Sequence, residues 1–190
     1  MNTPLPPAQS PPSQLRSRLT LLLIAVLFLG SFFVAAALRF SGWEPQGRRN
    51  YGELLQPPVN LATHPLLRAD GSAFAWQPEG DRWRFLVAPP ADCAQACVRT
   101  LDALHRIWLG QGRKADRIEV LWFGALPAGP RFRALVPMRA DDRLAAALPE
   151  AARADALPIY LVDPSGYLVL HYRPGFDPAG VRKDLGKLVK

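Results

Sequence analysis

The residues best equipped for chemistry in this chain are its two cysteines, Cys93 and Cys97, which stand in Asp92-Cys93-Ala94-Gln95-Ala96-Cys97. Positions i and i+4 of a helix hold their Cα atoms ~6 Å apart, inside the roughly 4.4–6.8 Å that a disulfide permits. Reduced, the same pair could exchange with other thiols or offer two soft sulfurs to a metal ion. A helix N-terminus stabilises a thiolate, and the residues that follow predict a helix. Cys93, Cys97, Leu101, Leu104, Ile107 and Trp108 recur at helical spacing as far as Leu109. Asp92 is a candidate N-cap, and Gly110 and Gly112 end the segment. The electrostatics are mixed, because Asp92 opposes a thiolate and the nearest cation in sequence is Arg99. On residues alone, a structural disulfide and two buried thiols stay open beside redox exchange.

Three histidines could extend the pair into a metal site: His64, His105 and His171. His105 stands eight residues beyond Cys97, ~12 Å of helix rise, too far to share one ion. His171 falls at the far end of an expected hairpin strand and His64 in the connector before the domain. The sequence has no Ser/His/Asp hydrolase elbow, phosphate loop or zinc cluster, so hydrolase and nucleotide chemistry have nothing to stand on. Trp108, Trp122 and Phe123 read as core.

The elements that must position the cysteines come from apolar runs. Trp83–Val87 is an expected buried strand ended by Pro89-Pro90, and Ile118–Phe123 is a second. Phe132–Val136 is a weaker third, after which Arg143–Arg153 is alanine-rich and helical in propensity. Ile159–Val162 and Tyr167–Tyr172 flank the turn Asp163-Pro164-Ser165-Gly166, giving a hairpin. Val181, Leu185 and Leu188 then line one face of a terminal helix. Strand, helix, strand, helix, hairpin, helix predicts an α/β domain with a mixed central sheet flanked by helices.

Ahead of that domain, Leu19–Leu38 is free of charge and proline. Twenty such residues span a hydrocarbon core of ~30 Å. An uncleaved transmembrane helix is favoured over a signal peptide, whose apolar region is about 7–15 residues long. Four regions follow: a disordered cytoplasmic tail (1–18), the transmembrane helix (19–38), a juxtamembrane connector (39–60) and the domain (61–190). Trp43 in the connector is open to two readings, an anchor at headgroup level and an ordinary linker tryptophan. Arginines flank the span on both sides, so positive charge does not orient it; a short tail before a large domain gives N-in, C-out. That places a single-pass protein in a bacterial-type inner membrane, with the cysteines outside the cytoplasm where a disulfide persists. The net charge of +7 is scattered among acids, as in Arg139-Ala140-Asp141-Asp142-Arg143, and no nucleic-acid motif accompanies it, so nucleic acid is not an expected partner.

Paired cysteines at the first helix of this element order resemble the thioredoxin fold. The run Leu157-Pro158-Ile159-Tyr160-Leu161-Val162-Asp163-Pro164-Ser165-Gly166 is similar to that family's third core strand and hairpin. The resemblance implies a cis bond at Pro158, packed beside the cysteines; without it, a trans proline simply starts a strand. Three residues between the cysteines, with a membrane anchor, look like the SCO/SenC family of cytochrome oxidase assembly proteins. The connector Asn50–Pro58 also resembles small membrane proteins of oxidase assembly. This resemblance implies Cu(I) held by Cys93, Cys97 and a distant histidine, and copper delivery or thiol reduction at the oxidase. Two departures stand out. Ala94 and Val98 replace the prolines that follow each cysteine in that family, and Arg153–Pro158 lacks its histidine. Asp155 stands near the histidine's place, and a carboxylate is a poor Cu(I) ligand.

The resulting expectation is a membrane-anchored accessory protein of respiratory cytochrome c oxidase assembly. Cys93 and Cys97 form its redox pair and handle Cu(I), and its partners are the bilayer and oxidase subunits or other assembly factors. Two alternatives stand beside it: a non-catalytic thioredoxin-fold interaction protein with a structural disulfide, and a general thiol–disulfide oxidoreductase.

Overall fold

A computed structural model describes residues 14–41, 50–76, 80–150, 155 and 157–189. The chain divides into two compact units, residues 1–48 and 49–190. In the first, helix α1 (Gln14–Phe40) contains the whole expected apolar span. Arg16–Phe40 is long and apolar enough to cross a membrane, and its leucines and phenylalanines are exposed. The expected tail before residue 14 and Trp43 lie outside the described residues.

The second unit is built on a six-stranded sheet of order β1-β8-β7-β4-β5-β6. Its strands are β1 (Glu53–Asn60), β4 (Trp83–Val87), β5 (Ile118–Phe123), β6 (Leu135–Met138), β7 (Ile159–Val162) and β8 (Tyr167–Tyr172). β4, β5 and β6 run parallel; β7 is antiparallel to β4, and β8 to both β7 and β1. A separate two-stranded ribbon pairs β2 (Leu66–Leu67) with β3 (Ala73–Phe74). The helices are α2 (Gln95–Leu109), α3 (Asp142–Ala147) and α4 (Pro178–Leu188), with a 3-10 turn at Gly112–Arg117.

The central strands read as continuous apolar runs because both faces of the sheet are covered. Phe85, Val120, Trp122, Ile159 and Leu161 face one core, filled by Leu101, Leu104 and Ile107 of α2 and Val181 and Leu185 of α4. Leu86, Leu121, Phe123, Tyr160 and Val162 face the other, closed by Leu66, Phe74 and Leu144. Leu168 and Leu170 share parity on β8 yet enter opposite cores. The register between β7 and β8 shifts between Leu161 and Val162, where Leu161 pairs with Leu170 and Val162 with Leu168. One extra residue at Val169 therefore flips the strand's facing.

Four expectations are corrected. Residues 53–60, read as connector, form the edge strand β1; its Pro57-Pro58 is tolerated because an edge strand can spare ladder donors, and the β1–β8 register shifts across it. Asp92 is not the cap of α2: Cys93 N–H donates to Pro90 O at 3.2 Å, closing a turn around Asp92, and Ala94 takes the cap position without a side-chain bond. α3 stops at Ala147, with Leu148 extended, because Pro149 disfavours helical backbone in the residue before it; residues 151–153 of the longer expected helix lie outside the described residues. Finally, among the described residues the cis peptide bond is Gln56–Pro57, not Leu157–Pro158. Pro158 leads into β7 in the trans form that most X–Pro bonds prefer.

Candidate functional site: a disulfide lining a cavity at the strand ends

Cys93 and Cys97 are joined by a disulfide, with Cα atoms 5.7 Å apart. Cys93 lies in the loop between β4 and α2; Cys97 is the third residue of α2. This offset gives the two sulfurs different surroundings. Cys93 is half-buried, whereas Cys97 is 2 % exposed and packs into the α2-side core. An attacking group therefore meets Cys93 first. Cys97 sits in the first helical turn, where unpaired backbone N–H groups and the helix dipole favour a thiolate.

Both cysteines line a cavity of about 690 Å³ beyond the C-terminal ends of the parallel strands β4 and β5. Open α/β sheets place their ligand crevices at strand ends of this kind. The β4–α2 loop contributes Pro89 and Pro90, the β5–β6 loop Leu126 and Pro127, α3 Asp142, and β7 Tyr160. The loop after β5 is held open by two bonds: Trp122 Nε1–H donates to Ala125 O at 3.1 Å, and Gly124 N–H to Met138 O at 3.0 Å. Gly124 has φ +92°, a left-handed conformation that suits glycine.

Tyr160 forms part of the wall and is fixed from behind. Its hydroxyl donates to Glu150 O at 2.6 Å, and its ring stacks on His171 with centroids 5.2 Å apart. Burial pushes the Tyr160 phenol up to about 12, so it meets the cavity as a neutral group. His171 is buried on β8 between two carboxylates: Glu53 Oε2 is 3.8 Å from Nδ1 and Glu150 Oε2 3.0 Å from Nε2. The second contact lies at ion-pair distance without hydrogen-bond alignment, since Nε2 has no hydrogen-bond partner.

The expected residues are thus only partly brought together. The cysteines meet; none of the three histidines lines their cavity. His171 is separated from it by Tyr160, His105 of α2 stacks with Trp108 and packs against Phe132, and His64 is exposed in the loop after β1. Asp155 lines a different recess with Arg99 and Thr100, and Pro158 is buried without lining the cavity. Among the described residues no group of three His, Cys, Asp or Glu side chains is placed to hold a metal. Besides the two sulfurs, the charged or hydroxyl groups of the cavity are Asp142 and Tyr160. Hard oxygens do not suit soft Cu(I), so the three-ligand copper site implied by the SCO resemblance does not fit these residues. Asp142, Leu126, Pro127 and Tyr160 were not singled out from sequence as site residues; Tyr160 is hidden inside an apolar run, Leu126 and Pro127 come from the β5–β6 loop, and Asp142 comes from the start of α3.

With this geometry in place, comparison with known proteins is informative. A family model described as "Transmembrane-like, thioredoxin-like, C-terminal domain" matches residues 83–190, more than half of the chain. The chain belongs to this family. Its matched region begins at β4 and includes both cysteines and the whole cavity wall. Among solved structures, it is similar to BsSco, a member of the Sco family of cytochrome c oxidase assembly proteins in which a disulfide switch was identified. The TM-score is 0.51 at 11% identity, over 70% of this chain and 95% of that one. It is also similar to Trgpx in its apo form, with TM-score 0.50 and 11% identity over 69% of this chain and 95% of that one. Bradyrhizobium japonicum ScoI with copper bound aligns at TM-score 0.46 and 14% identity, over 72% and 98% of the two chains. No curated protein matches the sequence. The family match and the likenesses to BsSco and Trgpx establish the thioredoxin-like fold that the element order and the cysteine pair predict.

Proposed function

We propose that the chain is a single-pass membrane protein whose C-terminal domain, outside the cytoplasm, exchanges thiols and disulfides with protein partners during assembly of a respiratory cytochrome c oxidase. The observation that carries the exchange chemistry is the unequal exposure of the two cysteines of a disulfide that lines a cavity. A partner thiolate attacks Cys93 Sγ, the Cys93–Cys97 bond breaks, and Cys97 leaves as a thiolate stabilised by the first turn of α2. The partner's second thiolate then attacks its own sulfur in the mixed disulfide and releases Cys93. The partner loses two electrons and two protons; Cys93 and Cys97 gain them as two thiols. From the reduced state the same steps run in reverse and reduce a partner disulfide.

The oxidase assignment is supported by the CxxxC spacing and the anchor, which resemble the SCO/SenC family, by the 50–58 segment, which resembles small membrane proteins of oxidase assembly, and by a fold shared with BsSco. Copper handling draws no support from the donor set. In cells lacking the native gene, Cys93→Ser/Cys97→Ser protein should accumulate at the wild-type level yet restore about one tenth or less of oxidase activity, the order of loss when a reacting group is removed. Full restoration would remove the oxidase role of the pair. The second reading, a scaffold with a structural disulfide, is favoured by the packing of Cys97 into the core; it predicts that restoration.

A further inference from the structure

We infer that His171 is a positioning residue for the disulfide cavity: a proton on its ring ties Glu53 and Glu150 together behind Tyr160 and speeds attack on the Cys93–Cys97 bond. This rests on the thiol-exchange reading above and gives that site a proton-controlled rate. His171 is 5 % exposed on β8, yet its Nε2 is buried without a hydrogen-bond partner. Two carboxylates flank the ring. Glu53 of β1 lies 3.8 Å from Nδ1, and Glu150, from the chain between α3 and β7, lies 3.0 Å from Nε2. A neutral imidazole carries one N–H and one lone pair, so it serves only one of them and leaves its bare nitrogen facing a carboxylate oxygen. One proton from solvent gives the ring two donors for two carboxylates, and both contacts become charge-assisted.

Tyr160 carries this change to the cavity. Its ring stacks on His171, and its hydroxyl donates to the backbone carbonyl of the same Glu150. Drawing Glu150 onto the imidazolium therefore fixes Tyr160 where it lines the cavity. Charge acts in the same direction. Among the described residues, the titratable and charged groups around the ring are Glu53 with Tyr51 ahead of it, Tyr160 from β7, Glu150, and Tyr172 and Arg173 beside it in sequence. Arg173 Nε binds Glu53 Oε1 at 2.8 Å. With a neutral ring, the two glutamates and Arg173 leave this group one negative charge in excess; with a protonated ring it is neutral. An attacking thiolate then meets no net repulsion from behind the Tyr160 wall.

The test uses the full chain, oxidised, in nanodiscs of uncharged phosphatidylcholine. Rates of disulfide reduction by a dithiol peptide are measured from about pH 8 to 5.5, where histidines change charge and carboxylates stay ionised. Each rate is divided by the thiolate concentration of the peptide. NMR of 15N-labelled histidine follows the ring nitrogens, with the His171 signals assigned by their loss in His171→Gln. The corrected wild-type rate should rise about threefold or more as pH falls, in step with the His171 signals. His171→Gln should abolish that rise, and Glu150→Gln, which removes the charge facing Nε2, should cut it by about half or more. Thermal melts report that each variant is folded. A flat wild-type profile, ring signals that do not change, or a rise that persists undiminished in a folded variant overturns the inference while leaving thiol exchange standing. Failure of the peptide and of dithiothreitol to reduce the disulfide at any pH would overturn both.

Discussion

Cys93 and Cys97 are one helical turn apart and chemically unequal, because α2 begins between them. Tyr160 shows a comparable division: one side of it reaches the cavity, while its hydroxyl is bound to Glu150 O and its ring to His171. Burial raises its pKa from 10.0 to about 12. Tyr172, buried beside Asp184, is raised further in the same direction. Because the folded values lie above the unfolded one, this contribution is complete below pH ~10 and is lost as pH rises through the folded pKa. For Tyr160 the loss amounts to about 2–3 kcal/mol. Urea unfolding of the full chain between pH 8 and 12 should show the midpoint falling above pH 10, and falling less in Tyr160→Phe protein. An identical fall in that variant would place the alkaline sensitivity elsewhere.

At the scale of elements, the entry into the sheet is pinned to the last helix. The buried Asp184 carboxylate of α4 accepts from Tyr51 N–H at 3.0 Å and Gly52 N–H at 2.8 Å, just ahead of β1, and lies 3.3 Å from Lys187 Nζ. Tyr51 stacks on Tyr172, and its hydroxyl accepts from Asp177 N–H at 2.6 Å. The fit requires Gly52 and Gly180, where an added Cβ would meet the Tyr172 and Tyr51 rings at 2.6 and 2.4 Å. Asp184→Ala strands two backbone donors and should cost about 2–4 kcal/mol in urea unfolding, with Asp184→Asn recovering part of it. A loss below ~0.5 kcal/mol would show that the clamp is not a stabilising contact. None of this was legible in the sequence. Ile118–Phe123 and Ile159–Val162 announced themselves as buried runs, whereas Glu53–Asn60 carries Pro57-Pro58 and no apolar alternation, so it resembled a linker. β1 is a strand because β8 offers it an edge and Asp184 holds its approach, and both partners are more than 100 residues away. Likewise, Cys93 and Cys97 could be picked out by type and spacing. The wall facing them joins residues 89–90, 126–127, 142 and 160, which only the tertiary fold brings together.

For the whole molecule, function turns on whether the disulfide is a reactive bond or a staple. A loop this short constrains the unfolded chain little, so removing the bond should cost only about 2 kcal/mol or less. The most direct measurement is to trap the exchange intermediate in membranes, under acid quench and thiol alkylation, using Cys97→Ser and Cys93→Ser forms of the full chain. Cys97→Ser leaves the accessible Cys93 without a resolving thiol, and should accumulate a mixed disulfide with a membrane or extracytoplasmic protein; Cys93→Ser should not. No adduct with Cys97→Ser, or equal adducts with both variants, would contradict thiol exchange through Cys93 and leave the disulfide a structural feature.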